Sequence, residues 1–301
     1  MKAVVLTAYG DVDRLELREV PDPQPGPKEI LVKVAAASIN PVDFKLRSGA
    51  ARAWMPLELP AILGRDVSGT VIAAGPGATR FPVGTRVLGL VNKGYAEKVA
   101  AAEEAWAEVP PGLDLVEAAA LPLVTLTGAQ LIEEALNARE GESVLVTGAA
   151  GGVGRAAVFV ARTRGVNVLA GVRGRQRAEA ASLGARGVVA LDDDAEVAAL
   201  APVDAIADTV DGPTIQKLLD RVKPGGRIGS VLGEPPGARE RGLQVRAFLT
   251  HPDSKRLGEL ARAVAEGKLV IPIARRFPLA EAGAAQKLAE SGAGGKILLI
   301  P

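Results

Sequence analysis

Ser143-Val-Leu-Val-Thr-Gly-Ala-Ala-Gly-Gly-Val-Gly154 decides how the rest of this 301-residue chain is read. Residues 143–147 have the apolar, β-branched texture of a buried strand. Residues 148–154 contain four glycines and two alanines, and an apolar-patterned helix follows (Ala156, Ala157, Val158, Val160, Ala161). Strand, glycine turn and helix together let backbone approach a pyrophosphate, and the helix N-terminus offers free N–H groups and a partial positive charge to it. The competing reading is a glycine-rich turn that only packs a helix on a sheet. The strand before and the helix after favour a dinucleotide site. Ala149 stands where the strict G-x-G-x-x-G pattern has its first glycine, followed by Gly151 and Gly154. The expected cofactor contacts of the turn are Ala149, Gly151, Gly152, Val153 and Gly154.

Outward from the turn, strand and helix candidates alternate. Strands are expected at 167–172, 187–190, 204–208, 227–232 and 243–249, with helices at 176–183, 213–222 and 254–266. Lys223-Pro-Gly-Gly226 reads as a turn, and residues 117–136 read as helix broken at Pro122. This alternation predicts a doubly wound parallel sheet. NAD-specific folds place an acid at the tip of the second strand to hold the ribose 2′-OH. Here that tip, Ala170 to Arg173, has none and runs into Gly171-Val-Arg-Gly-Arg-Gln-Arg177. Guanidinium forks suit a 2′-phosphate, so NADP(H) is expected, with Arg173 and Arg177 as its contacts and Arg175 turned to solvent. A solvated charged loop is the alternative.

The first third is β-rich, with short strands separated by Gly/Pro turns, which points to a barrel or sandwich. Residues 268–301 break the βα repeat and are expected to return to that first domain. The organisation is therefore 1–117 with 268–301 as one domain and 118–267 as the cofactor domain.

Charge excludes several classes. Lys+Arg 36 against Asp+Glu 35 leaves no basic field for nucleic acid or an anionic membrane. Cysteine is absent and His251 is the single histidine, so thiolate chemistry and His- or Cys-rich metal sites are excluded, and no metal site is expected. No apolar run reaches about 18 residues. A cytoplasmic enzyme is the expected class.

Several motifs fit one family. Asn40-Pro-Val-Asp-Phe-Lys-Leu-Arg-Ser-Gly49, Leu63-Gly-Arg-Asp-Val-Ser-Gly69, Leu121-Pro-Leu-Val-Thr-Leu-Thr127, the glycine turn, Asp208-Thr-Val-Asp-Gly212 and Gly294-Gly-Lys-Ile-Leu298 occur together. With these the chain resembles the medium-chain dehydrogenase/reductase superfamily, and within it the zinc-independent quinone oxidoreductase-like NADP-dependent oxidoreductases. The resemblance implies an α/β protein with a GroES-like β-barrel catalytic domain, a Rossmann cofactor domain and a cleft between them. Zinc-dependent relatives carry Cys at the position of Asn40 and Gly-His-Glu at Gly64-Arg65-Asp66. Those ligands are missing here.

Without a Lewis acid, hydride transfer to a quinone or an α,β-unsaturated carbonyl is the implied reaction, with the developing oxyanion held by hydrogen-bond donors. The resemblance implies Asn40 near nicotinamide or the substrate oxygen, and Asp43 supporting the loop or the cofactor ribose. Lys45 stands in place of a tyrosine, either as proton donor or as plain surface. Arg65 is expected to pair with Asp66 or Asp43. Thr127 is implied at the nicotinamide carboxamide, or else bonded to its own helix. Val231, Leu232 and Gly233 should line the nicotinamide and Lys296 the cofactor phosphates; His251 stands either at the rim of the cleft or as a structural imidazole.

Two departures stand out: only Leu90-Val-Asn-Lys93 separates Gly89 from Gly94, where relatives have a longer insertion, and Gly295 replaces an arginine. A homodimer through strand 243–249 is expected. The reading from a different class is a non-catalytic NADPH-binding redox sensor or interaction protein.

Overall fold

The structure, a computed structural model, describes residues 1–210 and 212–301. The chain forms two compact units, residues 1–123 with 251–301 and residues 124–250. Asp211, part of one motif above, lies outside the described residues.

The first unit opens with β1 (Lys2–Leu6) and β2 (Leu15–Glu19), followed by β3 (Glu29–Ser38), α1 (Pro41–Ser48), β4 (Ala61–Ile62) and β5 (Asp66–Ala74). Next come β6 (Arg86–Leu90), β7 (Lys98–Ala102), β8 (Trp106–Glu108) and α2 (Leu115–Ala118). β3 is the centre of this unit and pairs antiparallel with both β5 and β7. Its alternation is what a half-buried strand requires: Ile30, Val32 and Val34 point into a core with Val67, Val87 and Trp106, while Lys33 faces water. α1 begins at Pro41, where the missing N–H costs nothing, and stops at Gly49.

After α3 (Pro122–Gln130) the second unit follows the glycine turn: β9 (Ser143–Thr147), α4 (Gly152–Thr163), β10 (Asn167–Val172), α5 (Arg177–Ala181), β11 (Gly187–Ala190) and α6 (Asp194–Ala199). It ends with β12 (Val203–Asp208), α7 (Pro213–Leu218), β13 (Val222–Ser230) and β14 (Gln244–Ala247). The six strands are parallel in the order β11-β10-β9-β12-β13-β14. Strand order reverses between β9 and β12, and ligands of open α/β sheets bind at such a point, beyond the strand C-termini. Leu145, Ile206, Leu218, Ile228 and Leu243 build the core on one face.

The chain then returns to the first unit with α8 (Ser254–Ala265), β15 (Ile273–Pro278), α9 (Ala282–Glu290) and β16 (Lys296–Ile300), and β16 inserts between β15 and β3. Phe277, Ala285 and Leu299 close a second core with Leu6, Leu46 and Tyr95.

Two sequence expectations are corrected. The boundary expected at 267/268 falls at 250/251, and that at 117/118 falls at 123/124. The reason is α8, whose buried Leu257, Leu260 and Ala261 pack it with β8, and whose Ser254 Oγ accepts from Arg80 at 3.1 Å. Lys223-Pro-Gly-Gly226 is not a turn before a strand. β13 already pairs at Val222, and the partner register jumps from Val203↔Val222 to Ala205↔Arg227, so those residues form an irregularity inside the strand.

Candidate active site

In the second unit, the turn between β9 and α4 is made by close backbone packing. Gly148 sits at φ 61, and its carbonyl accepts from Gly151 N at 2.9 Å. A Cβ on Gly154 would collide with the Gly148 carbonyl oxygen and lie 2.6 Å from Ala149 Cα. Only a bare backbone fits there. Gly151 and Gly152 at the start of α4 are exposed and half-buried, and the first N–H groups of a helix have no partner within it. Gly151, Gly152, Val153 and Gly154 thus form a cradle that fits a pyrophosphate.

Ala149 does not belong to that cradle. It is fully buried, and its N–H is used by the Gly171 carbonyl at 3.1 Å. Arg155, not singled out in the sequence, holds the turn from behind: its Nε donates to the Ala150 carbonyl at 2.9 Å, and its guanidinium pairs with Glu179 on α5.

The strand C-termini beside the turn are tied together by Asp208, whose carboxylate accepts from Thr147 Oγ1 at 3.1 Å and Ser230 Oγ at 3.0 Å. Leu232 and Gly233 line an open depression of about 470 Å³ with Asp208, Val210, Ile215 and Pro235. Val231 is half-buried beside them, and its N–H donates to the Asp208 carbonyl. Thr127, on α3, meets Thr250 Oγ1 at 2.6 Å.

The arginines after β10 divide differently from expectation. Arg177 forms an ion pair with Glu196 of α6 and also donates to the Val188 carbonyl, so its charge is already matched. Arg173 and Arg175 are exposed, and among the described residues their guanidinium groups have no hydrogen bond or ion pair. The guanidinium groups without an internal partner among the described residues are therefore Arg173 and Arg175, and Arg177 is a brace between α5 and α6. The reason is that the β10–β11 pairing carries Glu196 to Arg177.

In the first unit, Asn40, Asp43, Asp66 and Lys296 form one buried polar network. Asp66 Oδ2 accepts from Ser38 Oγ (2.7 Å), Asn40 Nδ2 (2.8 Å) and Lys296 Nζ (3.3 Å), while Oδ1 accepts from Leu123 N (2.7 Å). Lys296 Nζ also donates to the Ile39 carbonyl at 3.0 Å and to Asn40 Oδ1 at 2.6 Å. Lys296 is 7% exposed in the first unit, so the expected contact with cofactor phosphates is replaced by a buried ion pair with Asp66. Burial pushes its ammonium pKa down, and the Asp66 carboxylate opposes that shift. Asn40 is 1% exposed with both polar ends engaged, so it serves this network and presents no open carboxamide.

Asp43 is 0% exposed and supports the loop that enters α1. Its Oδ2 accepts from Asn40 N at 2.8 Å, capping α1, and from Tyr95 Oη at 2.9 Å, whereas Oδ1 is buried without a partner. Burial raises its carboxyl pKa from 3.8 to about 6. A raised folded-state value means the protonated form favours the fold, so this stability is fully present below about pH 4 and is lost as pH climbs through about 6. The loss is on the order of 3 kcal/mol by pH 7. Asp43→Asn is expected to lose less stability than the parent protein between pH 4 and 7. Urea midpoints across that range check this, and parallel curves for the two proteins would show that Asp43 does not titrate there.

Lys45 is half-buried on α1, and its ammonium has no partner among the described residues. Arg65 pairs with neither Asp66 nor Asp43, because Lys296 and Tyr95 occupy those carboxylates; its Nε is buried and partnerless. His251 is exposed, with Nδ1 3.2 Å from the Pro252 carbonyl. Tyr95, Ser38 and Arg155 went unremarked in the sequence. The only signal was polar side chains inside otherwise apolar strand and helix patterns.

A parallel 3-2-1-4-5-6 sheet with a glycine-rich turn after its first strand is the arrangement of dinucleotide-binding folds, and the other unit is built on a largely antiparallel sheet. The family profile of the alcohol dehydrogenase GroES-like domain matches residues 26–113, and that of the zinc-binding dehydrogenases matches residues 183–299. A quinone oxidoreductase of Pseudomonas aeruginosa is 31% identical, the alignment covering 100% of this chain and 99% of the relative. A 2-haloacrylate reductase of a Burkholderia species is 30% identical over 99% and 98% of the two chains. A mycobacterial protein solved in complex with NADPH superposes with a TM-score of 0.86 at 28% identity, covering both chains fully. The chain belongs to the medium-chain dehydrogenase/reductase superfamily, among its quinone oxidoreductase-like oxidoreductases. No helix among the described residues is long and apolar enough to cross a membrane.

Proposed function

We propose that this oxidoreductase is zinc-independent and passes hydride from NADPH to a quinone or an activated alkene such as an α,β-unsaturated carbonyl. The observation that carries the zinc-free reading is the Lys296 ammonium. The two oxygen donors at the resemblance's metal-ligand positions, Asn40 Oδ1 and Asp66 Oδ2, both already hold that cation, at 2.6 and 3.3 Å. A divalent ion there would meet a buried positive charge. Asn40, Arg65 and Asp66 also lack the nitrogen and sulfur donors that zinc prefers.

When bound, the nicotinamide cofactor supplies the hydride. The chain's own part is to hold and orient it. Gly151 to Gly154 take the pyrophosphate, Val231 to Gly233 flank the nicotinamide at the strand ends, and Arg173 with Arg175 face the 2′-phosphate. The 2-haloacrylate reductase likeness supports an electron-poor alkene, and the quinone oxidoreductase likeness a quinone. Both acceptors place the developing charge on oxygen, where fixed donors hold it without a metal.

The direct test is NADPH oxidation by a panel of quinones and enones. Tight NADPH binding without turnover of any acceptor would leave a sensor or interaction protein in its place.

Cofactor choice has its own test. Arg173→Ala with Arg175→Ala is expected to weaken NADPH by about 10- to 100-fold, the scale of one or two charge-assisted contacts, and NADH far less. Arg177→Ala is expected to leave the NADPH-to-NADH ratio nearly unchanged. Equal losses for both cofactors in the double variant would show that these arginines do not read the 2′-phosphate.

The homodimer belongs to the same proposal. β14 is one of the two edge strands of the six-stranded sheet, and Leu249 just beyond it is 64% exposed. Light scattering that gives a monomer mass at micromolar concentration would reject it.

A further inference from the structure

We propose that Arg155 is a positioning residue that ties the pyrophosphate turn to the 2′-phosphate loop, so that the two phosphate subsites for NADPH are held as one rigid piece. The inference rests on the cofactor reading above, in which the glycine turn takes the pyrophosphate and Arg173 with Arg175 face the 2′-phosphate. Every group involved lies inside the second unit.

One edge of the Arg155 guanidinium holds two acceptors from different segments. Nε donates to the Ala150 carbonyl at 2.9 Å, and Nη2 donates to the Glu179 carboxylate on α5. These donors lie on the same side of a planar fork, which fixes the separation between turn and helix in a way that a flexible ammonium does not. Arg155 is 7% exposed and sits in the first turn of α4. A cation there works against the helix dipole. What it holds, and not the stability of its own helix, accounts for its place.

At the turn, the peptide unit joining Ala150 to Gly151 is fixed at both ends. Its carbonyl takes the Arg155 Nε–H, and its N–H donates to the Gly148 carbonyl at 2.9 Å. This peptide immediately precedes Gly152 and Val153, whose N–H groups open α4 and have no partner within the helix. Fixing its plane sets the direction of those donors before a phosphate arrives.

At the other end, Glu179 belongs to α5, which starts at Arg177 directly after residues 173–176. Gly174 N donates to Asp192 Oδ1 at 2.7 Å, which pins that segment, and α5 is held by the ion pairs Arg177–Glu196 and Glu179–Arg155. The exposed forks of Arg173 and Arg175 are thus carried by a frame anchored to the glycine turn. Ordering both subsites in advance lowers the cost of binding a ligand that uses both. NADPH is such a ligand, whereas NADH has no 2′-phosphate and gains only from the turn.

The test titrates NADPH and NADH by fluorescence into the full-chain parent, Arg155→Met, Glu179→Gln and the double variant, with circular dichroism confirming each fold. Arg155→Met is expected to weaken NADPH by about 10- to 100-fold, the scale of losing a group that orients a binding residue, and NADH by clearly less. Glu179→Gln leaves the Ala150 bond in place and should weaken NADPH by about 2- to 5-fold, the scale of a partly exposed ion pair, with NADH nearly unchanged. The double variant should bind NADPH no worse than Arg155→Met, because both changes cut one tie. Arg155→Lys, which keeps the charge and loses the fork, should recover little. A folded Arg155→Met that binds NADPH like the parent overturns the proposal. Equal losses for the two cofactors, or losses that add in the double variant, overturn it as well, since a brace serving only the fold would give them. Should Arg155→Met not fold, Glu179→Gln decides by the same comparison of cofactors. A parent protein without preference for NADPH over NADH overturns the 2′-phosphate reading and the proposal with it, and the parent titration alone distinguishes that case.

Discussion

Replacing Lys296 by methionine is expected to lower the unfolding free energy by about 3–5 kcal/mol, the range for removing one partner of a buried pair. The ammonium sits among the Ile39 carbonyl, Asn40 Oδ1 and Asp66 Oδ2, with all three of its N–H bonds directed at oxygen. Methionine matches the stem in length but leaves a 0% exposed carboxylate without its counter-ion. Ser38, Asn40 and the Leu123 N–H still donate to Asp66, which keeps the loss below that of a bare buried charge. Asn40 Oδ1 loses a 2.6 Å donor at the same time.

Adding Asp66→Asn to Lys296→Met removes the stranded charge and is expected to recover a substantial part of the stability. Urea unfolding of the parent, both single variants and the double variant forms the cycle. Additive losses would mean that the pair is not coupled as its geometry indicates. Because β16, which starts at Lys296, bonds to β3 next to Ile39, the damage should centre on the first unit.

Gly154→Ala is expected to weaken dinucleotide binding by about 100-fold or more, roughly 2.7 kcal/mol. The new methyl would strike the Gly148 carbonyl, lie 2.6 Å from Ala149 Cα and 2.7 Å from the Gly148 carbonyl carbon. All three are backbone atoms, so no side chain can move aside. The turn has to open, which pulls the first N–H groups of α4 away from the pyrophosphate position and breaks the fit of α4 on β9. Overpacking of this kind also destabilises the fold by about 1–3 kcal/mol. Gly151→Ala is the control, since its Cβ meets only the Gly148 carbonyl oxygen, at 3.2 Å. Fluorescence titration with NADPH should rank the parent above Gly151→Ala and Gly151→Ala above Gly154→Ala. Equal affinities would show that the cradle tolerates a side chain and is not where the phosphates lie.

What was legible in the sequence was local. The glycine turn, the strands on either side of it and the short helix ending at Gly49 are each specified by neighbours within about ten residues. They appear in the structure at or near the expected places. Alternation in β3 and the helical period of α8 were readable for the same reason. The role of α8 was not, because amphipathicity says that a helix buries one face and not which sheet it buries it against. Nor was the continuity of β13, since proline and glycine at 224–226 signal a turn unless a strand pairs on both sides of them.

The composition and motifs of this chain by themselves determined a strand, glycine turn and helix at 143–163, a second strand without an acid at its tip, and the lack of cysteine at position 40 and histidine at position 65. Only the tertiary structure decided which charges remain free. Lys296 reaches Asn40 across 256 positions because β16 docks beside β3, and that contact turns an expected phosphate ligand into the counter-ion of Asp66. Glu196 reaches Arg177 across 19 positions because β11 pairs with β10, and that leaves Arg173 and Arg175 as the open forks. The physical reason is the same in both places. A charge is spent on whatever opposite charge the fold brings within hydrogen-bond distance, and strand pairing, not sequence proximity, sets that partner. Arg65 is what remains when the nearby carboxylates have been taken.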